Sequence, residues 1–217
     1  MEKKTQGIKL NINYPQLIGK ITAHVIRLFN QYQSNELMYH NLEHTKTVVK
    51  RTSEIATNYH LSDTELFILS AGAWFHDTGQ LVGDTRFHED RSVLIMKKFL
   101  EPKRIAKEIM DKIESCICAT KLPQRPESLL EEIICDADTY NLGTEDFLKT
   151  DELLKKEFEL RNIPIDNWEE NTLNLLLSHK YFTSYCQALL NKGREENIDL
   201  VRSYLKRTSN YKIVNTN

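Results

Sequence analysis

Three separated segments of the 217-residue chain carry side chains suited to holding a cation and cleaving an ester. They are Tyr39-His40-Asn41-Leu42-Glu43-His44-Thr45, Trp74-Phe75-His76-Asp77-Thr78-Gly79 and Cys135-Asp136-Ala137-Asp138-Thr139-Tyr140-Asn141-Leu142-Gly143. Imidazoles and carboxylates suit a borderline or hard divalent ion, and two of each leave room for water on an octahedral metal. Such an ion lowers the pKa of its water and neutralises charge on a phosphoryl oxygen, so phosphoester hydrolysis is the natural reaction class. A nearby imidazole would protonate the leaving alkoxide. His40 and His44 stand one helical turn apart, and spacing does not say which is ligand and which is acid. Asp136 and Asp138 both flank the stripe of Leu129, Leu130, Ile133, Ile134 and Ala137, so periodicity leaves that choice open as well.

Positioning these groups falls to helices. Leu66 to Phe75 is apolar around nearly the whole helical circumference, which marks a central helix covered on all sides. It ends in His76-Asp77, two ionisable residues delivered to the interior that must be paired, neutralised or bound to metal. Apolar spacing predicts helices at about 15–33, 42–59, 63–76, 88–100, 103–121, 126–142, 145–161, 167–191 and 195–208. Capping-box spacing opens two of them, at Ser62-Asp63-Thr64-Glu65 and Asp166-Asn167-Trp168-Glu169, while Pro102 and Pro126 suit first turns. Glycine (7) and proline (5) fall well below average usage of roughly 7% and 5%, and no strand alternation with hairpin signals appears. The expectation is an all-α bundle of eight or nine helices forming one domain over 1–217, with core motifs at 39–147 and C-terminal helices at 148–210 packed on them. Thr208 to Asn217 is expected to fray.

Composition excludes several classes. Lys+Arg 29 against Asp+Glu 31 leaves no basic surplus for a broad nucleic-acid surface. The start, MEKKTQGIKLNINYPQ, has no signal-peptide core, and the most apolar window spans only ten residues, so a soluble cytoplasmic protein without membrane contact is expected. Cys116, Cys118, Cys135 and Cys186 form no C-x-x-C pair and read as reduced thiols, the first three as core packing.

The ordered set His44, His76-Asp77, Asp138 resembles the H…HD…D signature of the HD superfamily of metal-dependent phosphohydrolases, which are all-α. The resemblance spans Tyr39 to Phe147, about half the chain. Within it, Tyr39 to His44 is similar to the Y-H-N-x-x-H segment shared by bacterial HD proteins and cyclic-nucleotide phosphodiesterases. Ile117-Cys118-Ala119-Thr120 and Asp136 to Gly143 resemble further segments of the bacterial predicted HD phosphohydrolases. The resemblance implies His44, His76, Asp77 and Asp138 as ligands of a divalent ion (Mn, Mg, Fe, Co, Ni or Zn). It also implies Asp77 as a catalytic residue able to bridge to a second ion, His40 as general acid, and Asp136 as an outer residue behind the ligands. Departures exist too. Six-ligand HD sites use two more histidines between the HD pair and the final Asp, and only His88 lies in that interval.

His88 and Lys121 are the expected substrate contacts, with Arg86, Arg91 and Arg125 in or beside the flanking loops and Glu89 as a solvated helix-start carboxylate. His24, His60 and His179 are assigned to helix faces or termini. The apolar face of Leu173, Leu175, Leu176 and Leu177 would pack internally or against a second copy of the chain as a homodimer. The expected activity is hydrolysis of a phosphoester of a small phosphorylated metabolite, foremost a nucleotide. Monoesterase, pyrophosphohydrolase and diesterase chemistry stay open, and the alternative is a non-hydrolytic HD module that binds metal and nucleotide to regulate a partner.

Overall fold

The structure is a computed structural model that describes residues 13–214, with side chains to 207. Its described residues are all-helical: α1 (Tyr14–Tyr32), α2 (Leu42–Ala56), α3 (Asp63–Phe75), α4 (His88–Leu100), α5 (Lys107–Ala119), α6 (Leu129–Asp138), α7 (Phe147–Leu160), α8 (Trp168–Ser178) and α9 (Ser184–Val214). Short 3-10 turns at Thr78–Leu81, Glu101–Lys103 and Tyr140–Gly143 join some of them. The expected helical bundle is therefore what forms. No helix among the described residues is long and apolar enough to cross a membrane.

The apolar run does become the central helix. α3 packs against α1, α2, α4, α5 and α6, and Phe67, Ile68, Leu69, Ala71, Ala73 and Phe75 are all 2% exposed or less. From Phe67 onward the helix has almost no solvent face and the residues at its end inherit that burial, whereas Leu66, expected to be covered with the rest of the run, is 41% exposed. The capping box at Ser62 is formed in full, with Glu65 answering the Ser62 backbone amide.

Several expectations are corrected. Asn167 sits in the left-handed region (φ 55) and makes no side-chain cap, so the second predicted capping box does not form. Pro126 lies outside α6, whose N-cap is Ser128. The stretch read as one helix over 167–191 breaks at 179–183, because Asp136 on α6 captures that segment: it accepts hydrogen bonds from the Phe182 amide (2.9 Å), the Thr183 amide (2.8 Å) and the Thr183 hydroxyl (2.6 Å). The helix read at 195–208 is the continuation of α9, which is described as far as Val214; residues 215–217 of the terminal stretch expected to fray lie outside the described residues. Cys118 is exposed rather than core, while Cys116 and Cys135 are buried. Leu176 is buried in a small cluster with Ile198 and Val201, whereas Leu177 is exposed.

α9 docks through a backbone crossing. A side chain on Gly193 would collide with the Gly143 carbonyl, and one on Gly143 with the Leu190 backbone. Only glycine permits α9 to lie this close to the Tyr140–Gly143 turn that follows Asp138.

Candidate metal centre and the cavities beside it

Helix ends build the site. His44 lies in the first turn of α2, where the Asn41 side chain accepts from the Glu43 amide at 2.9 Å and the His44 amide at 3.1 Å and so fixes that turn. His76 is the C-cap of α3, Asp77 follows it, and Asp138 closes α6. The C-termini of α3 and α6 each add partial negative charge to that of the two aspartates. A cation is the natural complement.

Four side-chain atoms converge. His44 Nε2 lies 3.3 Å from Asp77 Oδ2, 3.3 Å from Asp138 Oδ1 and 3.4 Å from His76 Nε2. His76 Nε2 lies 3.2 Å from Asp77 Oδ2 and 3.5 Å from Asp138 Oδ1. His44, His76 and Asp77 together form a group able to hold a metal ion. His76 donates Nδ1–H to the Ala73 carbonyl at 2.8 Å, which leaves Nε2 as a lone pair turned into the cluster. Asp77 Oδ2 is buried and accepts no hydrogen bond. A buried anionic oxygen left without a proton donor, facing an imidazole lone pair, fits a bound cation and does not fit a hydrogen-bonded core network.

The electrostatics agree. Burial would lower the pKa of His44, but the carboxylates of Asp138 and Asp77 beside it raise it above the ordinary value; His76 rises well above it, its burial outweighed by the adjoining charge of Asp77 and by that of Asp138. Burial would raise Asp77 and Asp138, yet the imidazoles hold both below the usual carboxylate range. Protons and a cation would compete for these same lone pairs.

His88 adds a fifth group at the first residue of α4. Its Nδ1 donates to the Thr85 carbonyl at 2.9 Å, and Nε2 lies 3.2 Å from Asp77 Oδ1, the carboxylate oxygen on the far side of the cluster. Gly79 makes this approach possible, because any side chain there would collide with the His88 carbonyl. Glu89, expected in solvent, is buried with Oε1 3.6 Å from His88 Nε2.

His40 stands beside the cluster rather than in it. Its Nδ1 pairs with Glu157 Oε1 at 2.7 Å, and Glu157 Oε2 accepts from the Tyr39 and His40 amides, each at 2.9 Å. Glu157 is completely buried on α7 and also meets Arg161 Nη1 at 3.3 Å. Burial alone would raise its pKa, but the bonds from His40 hold it below the ordinary range. Nothing local in the sequence marks Glu157, which lies 117 residues from its partner; its only signal is an acidic side chain at a helix position that turns inward.

Two cavities flank the cluster and share Asp138. One, of about 280 Å³, is lined by His44, Thr47, Arg51, Asp138, Asn141 and Lys149, among others. The other, of about 340 Å³, holds His40, Asp77, Phe87, His88, Lys121 and Asp138. Lys121 thus reaches the site, as does Arg86, which is paired with Asp84 at 3.0 Å. Arg91 does not, since its guanidinium is spent on the carbonyls of Gly79, Arg86 and Asp84. Arg125 lines neither cavity. Asp136 is turned to the 182–183 segment and does not support the ligands. His24 stacks on Phe99 and His60 is exposed, as helix-face or terminus residues would be; His179 is the C-cap of α8, buried against Tyr181.

Fold and cluster together define an HD-type helical protein with a His/Asp site suited to a divalent metal. The model of the HD-CE family matches residues 23–197, and the chain belongs to that family. Its fold is similar to the crystal structure of the Lin1889 protein from Listeria innocua, at 19% identity over 91% of this chain and 98% of that one, with a TM-score of 0.62. It is likewise similar to a predicted HD superfamily hydrolase from an uncultured Thermotogales bacterium (17% identity, 92% and 99% coverage, TM-score 0.53). A third similar structure is Bacillus subtilis YpgQ in complex with ADP (18% identity, 88% and 97% coverage, TM-score 0.59). No curated protein matches the chain.

Proposed function

We propose that the chain is a metal-dependent phosphohydrolase acting on a small phosphorylated metabolite, foremost a nucleotide. The observation that carries this reading is the convergence of His44, His76, Asp77 and Asp138 around the orphaned Asp77 Oδ2, with the His40–Glu157 pair in the adjoining cavity. Those four residues would hold the ion. A divalent ion held there lowers the pKa of a water and offsets charge on a phosphoryl oxygen.

The chain's own residues supply the remainder. Asp77 keeps one oxygen toward His88 while the other joins the ligand set, so His88 is placed to orient the substrate phosphoryl. His40, with Nδ1 committed to Glu157, presents Nε2 to the cavity and delivers a proton to the leaving oxygen. Lys121 neutralises substrate charge at the cavity mouth. The ADP held by the similar YpgQ structure supports a nucleotide as substrate.

Metal analysis of the purified chain, joined to turnover of bis(4-nitrophenyl) phosphate and 4-nitrophenyl phosphate, tests this reading. Stoichiometric metal with turnover of either ester is expected. Bound metal with no turnover of any phosphoester would transfer the assignment to a regulatory module that binds metal and nucleotide.

A further inference from the structure

His40 and the turn that carries Asp77 are held by different parts of the fold, and something must keep them in register. Glu157 fixes His40 from α7, yet α7 is weakly tied to the helices that bear His44 and His76. Its buried residues are Phe147, in the first turn, and Glu157, ten residues on. Phe147 belongs to the small apolar cluster with Leu176, Ile198 and Val201, apart from the core around α3. The C-terminal half of α7 therefore approaches the metal centre without a fully buried apolar side chain, and polar contacts set its distance.

Arg161, the C-cap of α7, makes those contacts. Its Nη1 donates to Gln80 Oε1 at 2.9 Å and to Glu157 Oε1 at 3.3 Å, and its Nη2 donates to the Gly83 carbonyl at 3.3 Å. Gln80 is 4% exposed, and its amide donates to the Asp77 carbonyl at 2.9 Å. Gly83, in the left-handed region (φ 84), opens the loop that runs to His88. One guanidinium thus joins the carboxylate that orients His40, the turn that follows Asp77 and the loop that delivers His88. Counting His40 Nδ1–H, the Tyr39 and His40 amides and Arg161, Glu157 has a donor for each of its roughly four lone-pair sites, so the carboxylate cannot turn. A lysine ammonium is a point charge on a flexible stem and lacks the planar fork that reaches separate acceptors at fixed angles.

Resting on the hydrolase reading, we propose that Arg161 is a positioning residue whose fork locks α7 to the turn after Asp77 and so holds His40 at its working distance from the metal centre. Arg161 lines neither cavity beside the cluster and has no metal ligand among its hydrogen-bond partners. Its loss therefore shifts geometry without deleting a ligand or a substrate contact. A displacement of about 1 Å in a reacting group costs on the order of a hundredfold in rate.

Arg161→Lys and Arg161→Ala in the full chain test this. Metal per chain is measured first and should match the wild type in both. Turnover is then compared on the phenyl and 4-nitrophenyl esters of whichever phosphoester class the wild type cleaves. Both variants should lower kcat for the phenyl ester at least about tenfold, with KM and the activated 4-nitrophenyl ester within about twofold of the wild type. A third readout needs no substrate: the Nδ1 proton of His40, observed by NMR of histidine-15N-labelled protein and assigned with His40→Gln. Its low-field signal should be sharp in the wild type and lost to exchange with water in both variants. If Arg161→Ala does not fold, Arg161→Lys carries every comparison. Equal losses on the two esters, a lysine variant with wild-type kcat, or an unchanged Nδ1 signal overturns the positioning role and leaves the hydrolase reading standing. If the wild type at full metal occupancy turns over no ester, the hydrolase reading falls, and the Nδ1 signal alone decides whether Arg161 positions His40.

Discussion

His40 pairs its Nδ1 with Glu157 Oε1 at 2.7 Å, and the same carboxylate receives the backbone amides of Tyr39 and His40, so one fully buried acid on α7 fixes both the ring and the loop of the proposed general acid. Glu157→Gln changes the proton inventory while keeping the shape. The amide N–H₂ would donate to Nδ1, which leaves the proton of the neutral imidazole on Nε2 and removes the carboxylate charge beside the ring. Turnover of an alkyl diester should fall about tenfold to a hundredfold, with activated aryl esters and metal content nearly unaffected. Comparing leaving groups checks this. Equal losses across them would reduce Glu157 to a structural role.

Asp77→Ala should empty the metal centre. Asp77 Oδ2 faces both His44 and His76 and has no hydrogen-bond partner of its own, so its removal deletes a ligand and leaves two imidazoles facing each other at 3.4 Å. Metal per chain, measured after dialysis, should drop by at least about tenfold. The fold should survive, since the core around α3 does not depend on that carboxylate. Full metal retention in Asp77→Ala would remove the basis of the site.

What the sequence made legible follows from how local each signal was. Leu66 to Phe75 announced the buried helix because its apolar residues are contiguous, and its abrupt end announced His76 and Asp77. His88 was ambiguous in the sequence because its approach to Asp77 depends on the contact between Gly79 and α4, which spacing cannot reveal. Glu89 read as solvated because helix-start carboxylates usually are, yet tertiary packing covers it. Glu157 was invisible, being one acid among 31 acidic residues with its partner 117 positions away. The break at 179–183 was missed for a related reason: it is imposed by Asp136 from another helix and not by a local glycine or proline.

Gly79→Ala tests how His88 is delivered. The added methyl would meet the His88 carbonyl and press on the Ser92 amide, both backbone atoms that cannot rotate away. The Ser92 hydroxyl bond to the Gly79 amide, 2.8 Å, would be strained at the same time. Overpacking of this kind costs about 1–3 kcal/mol, which for a chain of this size lowers the melting temperature by roughly 2–12 °C. Turnover should fall with it as α4 retreats from Asp77. A calorimetric scan alongside kinetics checks both; an unchanged melting temperature would show that α4 is not fixed by this contact.

His179 gives the molecule a pH dependence independent of the metal centre. It is 8% exposed, its Nε2 is buried without a hydrogen-bond partner, and burial followed by the nearby charge of Arg194 lowers its pKa from 6.5 to about 4. The sign is fixed by where the proton prefers to be. Between about pH 6.5 and pH 4 the unfolded chain binds a proton that the native chain does not, so native stability falls as pH drops through that window. The loss approaches about 3 kcal/mol near pH 4. His179→Phe removes the titrating group and keeps a flat ring against Tyr181, so its urea midpoint should be nearly unchanged at pH 7 and exceed that of the wild type at pH 4.5. Parallel pH profiles for the two proteins would show that His179 titrates normally and that its burial carries no such cost.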